Sequence, residues 1–228
     1  GSALRLRYGE AATRFTTDVD VARKSTEGEF RSELARALRV GWDGFAGTVE
    51  QLPAFVPDGV QQRYVMRPYA VRLSYLGQSW NGVRLEVSHN ELGDADLPDR
   101  VESDAISRLF EEVGLTPPGA LPLMGLSFQI AQKLHAMSEQ GSQRAHDLVD
   151  LQVIMRNGSP DLPEVRLTCE RLFRYRKAQD WPTSVTEGDR WEELYKEAAV
   201  GMDVLPTARE ATAWANELVA RIAEPHED

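Results

Sequence analysis

Two aspartates one residue apart, Asp18 and Asp20, stand in a stretch of short-period alternation and β-branched residues running from Arg14 to Ala22. Successive side chains of a strand leave opposite faces, so these two carboxylates leave the same face and converge. Converging anions repel unless something positive sits between them. A divalent metal is the usual answer, because hard oxygen ligands suit Mg²⁺ (or Mn²⁺), which also grips substrate phosphates. The pattern is short, and two aspartates on a solvent-facing edge strand share it. Its surroundings narrow the choice. The chain opens Gly1-Ser2-Ala3-Leu4, and fifteen residues lie between Ser2 and Asp18. A Gly-Ser turn lets backbone N–H groups and a hydroxyl approach a triphosphate closely, although tag cleavage leaves the same two residues.

A second group lies far along the chain. Only four of the 26 basic residues are lysines, Lys24, Lys133, Lys177 and Lys196, so a lysine at a given place raises the question of why arginine was not used. Lys133 offers a compact ammonium to a phosphate, a point-charge task that needs no guanidinium fork. Asp147 and Asp150 lie three apart on one predicted helix, hence on nearby faces. One of them holds Lys133 or draws a proton from an acceptor hydroxyl; Asp147 suits direct work in the site, and Asp150 a buried cap or ion pair. Arg144 pairs with either acid. His135 and His146 are lone helix histidines and read as surface or packing residues. Arg171, Arg174, Arg176 and Lys177 form the densest basic cluster, a place for contact with RNA or a nucleotide.

These residues need elements to position them. Arg14–Ala22 is predicted as a strand, and 28–40 as a helix with an apolar stripe at Phe30, Leu34, Ala37 and Leu38. Further strands are predicted over Arg63–Arg67, Ala70–Leu76 and Val83–Ser88, the last two joined by a turn ending in Asn81-Gly82. From Val101 the pattern is helical: Val101–Val113, Ser127–Glu139, Gln143–Met155, Pro163–Ala178, Asp189–Val200 and Ala208–Ile222. Segments this short do not stand alone in water, so they pack as a bundle. Pro117-Pro118-Gly119 is the best boundary. The expected fold class is α+β: a small mixed β-sheet core over 1–116, its preceding helix missing, and a C-terminal helical domain over 117–228.

The 228 residues, 42% of them hydrophobic, suffice for one large or two small domains with a proper core. A net charge of −10 argues against a protein that coats nucleic acid through an overall basic surface, without excluding a local basic patch. No apolar run has the length of a membrane span, and no signal-peptide core follows the N-terminus. The single cysteine, Cys169, has neither a disulfide partner nor metal-ligand spacing. A soluble, cytoplasmic protein that engages no membrane is expected.

Gly-Ser, a spacer and Asp-x-Asp look like the signature of the DNA polymerase β-type nucleotidyltransferase superfamily. More narrowly, the segment from Gly1 to Ala22 resembles the opening motif of the AbiEii/AbiGii family, which includes the MenT-type toxins of toxin–antitoxin pairs. That family's glycine pair, Ala-Leu step, glycine and Arg-x-Thr-x-Asp-x-Asp fall here on Gly1-Ser2, Ala3-Leu4, Gly9, and Arg14, Thr16, Asp18 and Asp20, with a longer spacer between Gly9 and Arg14. Its Lys-x-x-Ala helix and following Arg-x-x-Asp-x-x-Asp-Leu helix fall on Lys133 and Ala136, then Arg144, Asp147, Asp150 and Leu151. The resemblance implies a third metal carboxylate on a neighbouring strand, for which Glu86 is the candidate, and NTP contacts from Gly1, Ser2, Arg14 and Lys133. It further implies that the helical domain completes the active site.

The implied activity is an Mg-dependent, EC 2.7.7-type transfer of NMP from an NTP to an acceptor hydroxyl, the acceptor being the 3′ end of tRNA. Asp18, Asp20, Lys133 and Asp147 carry the catalysis. A cognate antitoxin is implied as partner, one kind being a kinase that phosphorylates a hydroxyl in this motif. Thr16, on the acid face by strand alternation, is then the regulatory residue, whereas Thr17 points to the opposite face. Two other readings stand beside this one. One is nucleotidyl transfer to a protein or to a small molecule such as an aminoglycoside; the other is a catalytically silent member that acts by binding a partner.

Overall fold

The computed structural model describes residues 1–56 and 65–225. By the pattern of close backbone approaches the chain divides into two compact units, one of Gly1–Ser2 with Thr16–Leu123, the other of Ala3–Phe15 with Met124–Asp228. The sequence boundary was expected after residue 116; the units part at Leu123/Met124, and an N-terminal segment goes with the second unit.

In the first unit, β1 (Asp18–Arg23) lies parallel to β4 (Gln78–His89), which pairs antiparallel with β3 (Arg67–Tyr75), which pairs antiparallel with β2 (Phe45–Gln51). The sheet order is therefore β1-β4-β3-β2, a mixed sheet with β1 at one edge. Helix α2 (Glu27–Val40) follows β1 and packs on the sheet. It starts cleanly: Thr26 accepts from the Glu29 N–H while the Glu29 carboxylate accepts from the Thr26 N–H, a capping box. Leu38, Phe30 and Leu34 of this helix close over Tyr69, Val71, Leu85 and Val87, with Val19 and Val21 of β1 joining them. Alternation therefore does two jobs in β1: valines go to the core and aspartates to the other face.

The β3–β4 hairpin turns at Leu76-Gly77, both with positive φ (48° and 80°), the geometry of a two-residue turn whose twist matches the strands. The sequence suggests a longer connection, Gly77 to Gly82, ending in Asn81-Gly82, but Gln78 to Gly82 belong to β4. That dipeptide instead pairs with β3, Asn81 with Leu73 and Gly82 with Arg72, next to a bulge in which Trp80 is the extra residue. Strand β1 is shorter than expected, beginning at Asp18 rather than Arg14. The strand expected over Arg63–Arg67 lies partly outside the described residues, and Arg67 opens β3. Three strands were not anticipated: β2, and the short pair β5 (Asp99–Val101) and β6 (Leu121–Leu123), which flank α3 (Asp104–Glu112).

The second unit gathers α4 (Leu126–Ser138), α5 (His146–Asn157), α6 (Leu162–Arg176), α7 (Trp191–Ala199) and α8 (Ala208–Ala223). Helix α1 (Ser2–Tyr8) contributes the buried Leu4, so the expected Gly-Ser turn is in fact the start of a helix. Helix α5 touches α4, α7 and α8 and is buried on every side from Asp147 to Ile154. An all-round buried helix must satisfy its polar side chains internally. Gln152 does so in a closed circuit: its amide nitrogen donates to Tyr195 Oη (3.0 Å), Tyr195 Oη donates to the Leu205 carbonyl (2.6 Å), and the Leu205 N–H donates to Gln152 Oε1 (2.8 Å).

Tyr195→Phe keeps the ring and strands the Leu205 carbonyl and one N–H of the Gln152 amide, whose nitrogen keeps its bond to the Leu148 carbonyl. It should lower unfolding free energy by about 1–3 kcal/mol in urea titrations without changing the m-value.

Candidate active site

The first cluster sits on the face of the sheet opposite α2. Parallel pairing sets Asp18 beside Arg84 and Asp20 beside Glu86, so alternation brings two aspartates, a glutamate and an arginine to one face. The Glu86 carboxylate accepts from Arg84 Nε at 3.0 Å, and Asp20 is exposed. Arg84 was not singled out in the sequence, although its place two residues before Glu86 on a strand was enough to find it. It supplies positive charge on the face that carries the three acids.

Thr16 and Thr17 both precede β1, and both hydroxyls donate to the same oxygen, Asp18 Oδ1, at 3.2 Å. Thr17 had been expected on the opposite face. That expectation assumed a strand through residue 17, and strand geometry begins only at Asp18.

Among the described residues no group of three or more His, Cys, Asp or Glu side chains forms a ready-made metal cage. The donor set nevertheless suits Mg²⁺, which keeps several waters and commonly binds through one or two carboxylates plus substrate phosphates. Asp18 and Asp20 offer hard oxygens on one face, and Glu86 has its second carboxylate oxygen beyond the Arg84 contact.

The second cluster is built in the helical unit. Lys133 on α4 donates to Asp147 Oδ1 at 2.6 Å and to Asp150 Oδ2 at 2.7 Å. Arg14, in the segment after α1, forks onto Asp150, with Nε to Oδ1 at 2.9 Å and an η-nitrogen to Oδ2 at 3.0 Å. Arg144 Nε donates to Asp147 Oδ2 at 2.8 Å. Asp147 is fully buried and each of its oxygens has a cationic partner. Two of the three ammonium donors of Lys133 are used, and among the described residues the third has no partner. With His146 neutral, three cations face two carboxylates, so the cluster carries net positive charge.

These contacts decide the protonation states. Burial opposes ionisation of Asp147, but Lys133 and Arg144 outweigh it and hold the carboxyl below its ordinary value. At Asp150 burial is likewise overridden, with Lys133 the largest of several cationic contributions and Arg14 among them. Burial also works against the Lys133 charge, and the two aspartates more than restore it, raising its pKa. His146, with Nε2 3.8 Å from Asp147 Oδ1, is lowered to about 4, by burial first and then by Arg144, Arg14 and Lys133, against the pull of Asp147.

Comparison with known proteins fits this architecture to the nucleotidyltransferases. The chain belongs to the AbiEii nucleotidyl transferase toxin family of type IV toxin–antitoxin systems, whose family model matches residues 1–218. Among solved structures it is similar to MenT4, a nucleotidyltransferase toxin from Mycobacterium tuberculosis H37Rv, at 17% identity and a TM-score of 0.50, over 98% of this chain and 82% of that chain. That likeness is one of fold. No curated protein matches the chain in sequence. The family implies an antitoxin partner, and among the described residues no helix is long and apolar enough to cross a membrane.

The lowered His146 pKa fixes a pH dependence. Between about 4 and its ordinary value of 6.5 the unfolded chain binds a proton that the folded chain refuses, so stability rises with pH across that window and this contribution is flat above it. The depressed carboxyls of Asp147 and Asp150 add stability that is lost only at lower pH, as pH falls below the ordinary aspartate value of 3.8. Thermal unfolding followed from pH 7 to pH 4 should therefore show a falling Tm, and His146→Asn should flatten that fall.

Proposed function

We propose that this toxin transfers a nucleoside monophosphate from an NTP to an acceptor hydroxyl, with the 3′ end of tRNA as acceptor. The observation that carries the reading is the registration of Asp20 beside Glu86 on parallel strands, with Asp18 on the same face. Acids gathered at one place are costly without a cation, and a metal–triphosphate complex offers one. Asp18, Asp20 and Glu86 would hold Mg²⁺ or Mn²⁺ there, and the ion would supply Lewis-acid charge to the triphosphate. The acceptor oxygen bonds to the α-phosphorus in line, the bond from that phosphorus to its bridging oxygen breaks, pyrophosphate leaves, and the hydroxyl proton is lost to solvent.

The remaining residues work by position and charge. The third N–H of Lys133 is the donor for a phosphate oxygen, and the net positive charge around it favours an anion. Asp147 and Asp150 act through Lys133: with both oxygens of Asp147 engaged by cations, it is a positioning residue that aims the ammonium, the holding role among the two its spacing allowed. Arg14 has donors beyond its fork on Asp150 for the NTP, and Gly1 and Ser2 at the start of α1 supply backbone N–H groups for phosphate. Thr16 is a control point, since a phosphate on its hydroxyl would bring roughly −1.5 to −2 charge against Asp18. Because the Thr17 hydroxyl reaches the same oxygen, phosphorylation of either residue would act alike. A cytoplasmic location, where tRNA and NTP are found, belongs to the same reading.

Asp20→Ala should remove transfer to below a few per cent of wild type in an assay with labelled NTPs. Its Tm should match or exceed wild type, because the apo protein loses a like-charge neighbour. Retained transfer would break the metal assignment.

Thr16→Glu and Thr17→Glu should both cut transfer at least about tenfold by placing a carboxylate beside Asp18, whereas Thr16→Val should retain most activity. Full activity in Thr16→Glu would remove the case for a phosphate switch.

A further inference from the structure

Beyond the two clusters, the helical unit holds a cavity of about 950 Å³ between the C-terminal end of α6, the segment after it and the end of α8. Its volume falls at the upper end of the range for pockets that enclose organic ligands. Cations, an aromatic plane and a buried acceptor all line it. Arg174 and Lys177 are exposed, and among the described residues neither side chain has a hydrogen bond or ion pair. Arg166 also lines it and is paired with Glu170 at 2.9 Å, which leaves Asp180 as the one acid in the lining without such a partner.

Trp181 supplies the plane. It is half-buried and leans on Phe173 with ring centroids 5.3 Å apart, and Phe173 in turn meets the His135 ring edge-on at 4.9 Å. The indole is therefore fixed in orientation. Gln179 donates through its amide nitrogen to the His135 carbonyl at 3.1 Å, and its Oε1 is buried without a partner among the described residues. A buried acceptor left unmatched calls for a donor. Lys177 itself caps α6 in the left-handed region, φ 56°, a place that glycine fills most comfortably. A lysine there costs stability and places a cation at the cavity.

We propose that this cavity is an RNA-binding site that takes a phosphate-flanked base of a single-stranded segment. Arg174 and Lys177 contact backbone phosphates, Trp181 lies against the base, and Gln179 Oε1 accepts from a base N–H or a ribose hydroxyl. In a chain of net charge −10, two unpaired cations beside a fixed indole fit a polyanion with planar bases better than an acidic protein partner, which would leave the aromatic plane and the buried acceptor unused. The proposal rests on the reading that the acceptor is an RNA, and assigns it a site outside the acid and lysine clusters.

The test measures fluorescence anisotropy of a short labelled single-stranded RNA on the whole protein, without NTP, with AMP as a mononucleotide arm. The double variant Arg174→Gln/Lys177→Gln should bind the RNA at least about tenfold more weakly and lower the slope of log K against log salt by about 1.4, two phosphate contacts' worth for a single strand. Lys177→Gly should raise Tm while weakening RNA binding, a combination that a purely structural lysine would not give. AMP should bind more weakly than the strand and compete poorly with it. Unchanged RNA affinity in the double variant overturns the proposal, and AMP binding as tightly as the strand overturns it in favour of a mononucleotide site. Transfer to RNA with unchanged affinity in the variant would defeat this inference alone; RNA binding lost in the variant with no transfer by wild type would defeat the proposed function alone.

Discussion

One ammonium sets the terms for the helical unit. Lys133 sits between two carboxylates that are almost wholly buried, and each carboxylate reaches a second cation, Arg144 for Asp147 and Arg14 for Asp150. Removing one partner from such a set leaves a buried charge uncompensated, typically at a cost of about 3–5 kcal/mol. That constraint explains why α5 can be buried on every side while carrying two aspartates. It also ties the segment after α1 to the helices: Arg14, 136 residues from Asp150 in sequence, is the residue that closes the network. The same arrangement leaves one ammonium donor unused in a net positive environment, and a phosphate oxygen is the natural acceptor.

The sheet unit solves a different problem. Its core face needs valines and its other face gathers acids, and β1 meets both demands by strict alternation. Parallel pairing with β4 then fixes which residues stand beside Asp18 and Asp20. A one-residue slip would send Glu86 to the core and Val87 to the acid face, so the apolar packing that holds the register also holds the acid cluster.

Much of this was legible in the sequence, for physical reasons. Long periodic segments such as α2, α4 and α8 carried enough apolar spacing to be placed within a few residues, and alternation placed Asp18, Asp20 and Glu86 on strands. Less legible were features decided by context. Strand β2 follows Gly41-Trp42-Asp43-Gly44 and contains Gly47, so its signal is diluted by turn residues. The hairpin took Leu76-Gly77 over the stronger Asn81-Gly82 signal because the register of β3 against β4 places the bend there. Thr17 was misplaced through a strand drawn too long. The Arg14–Asp150 fork and the Gln179 acceptor depend on tertiary proximity, and no local pattern encodes either. Arg84 was legible from its place two residues before Glu86 on one strand, which puts both on the same face.

The central claim of the proposed function is that this nucleotidyltransferase toxin acts on RNA. The most direct measurement incubates the purified protein with each NTP labelled at the α-phosphate and total tRNA, and follows both the label and pyrophosphate. The account predicts label at the 3′ end of tRNA, pyrophosphate released one for one with it, and neither when Asp18 is replaced by alanine. Label appearing on protein or a small molecule instead of RNA, or no release of pyrophosphate with any NTP, would contradict it.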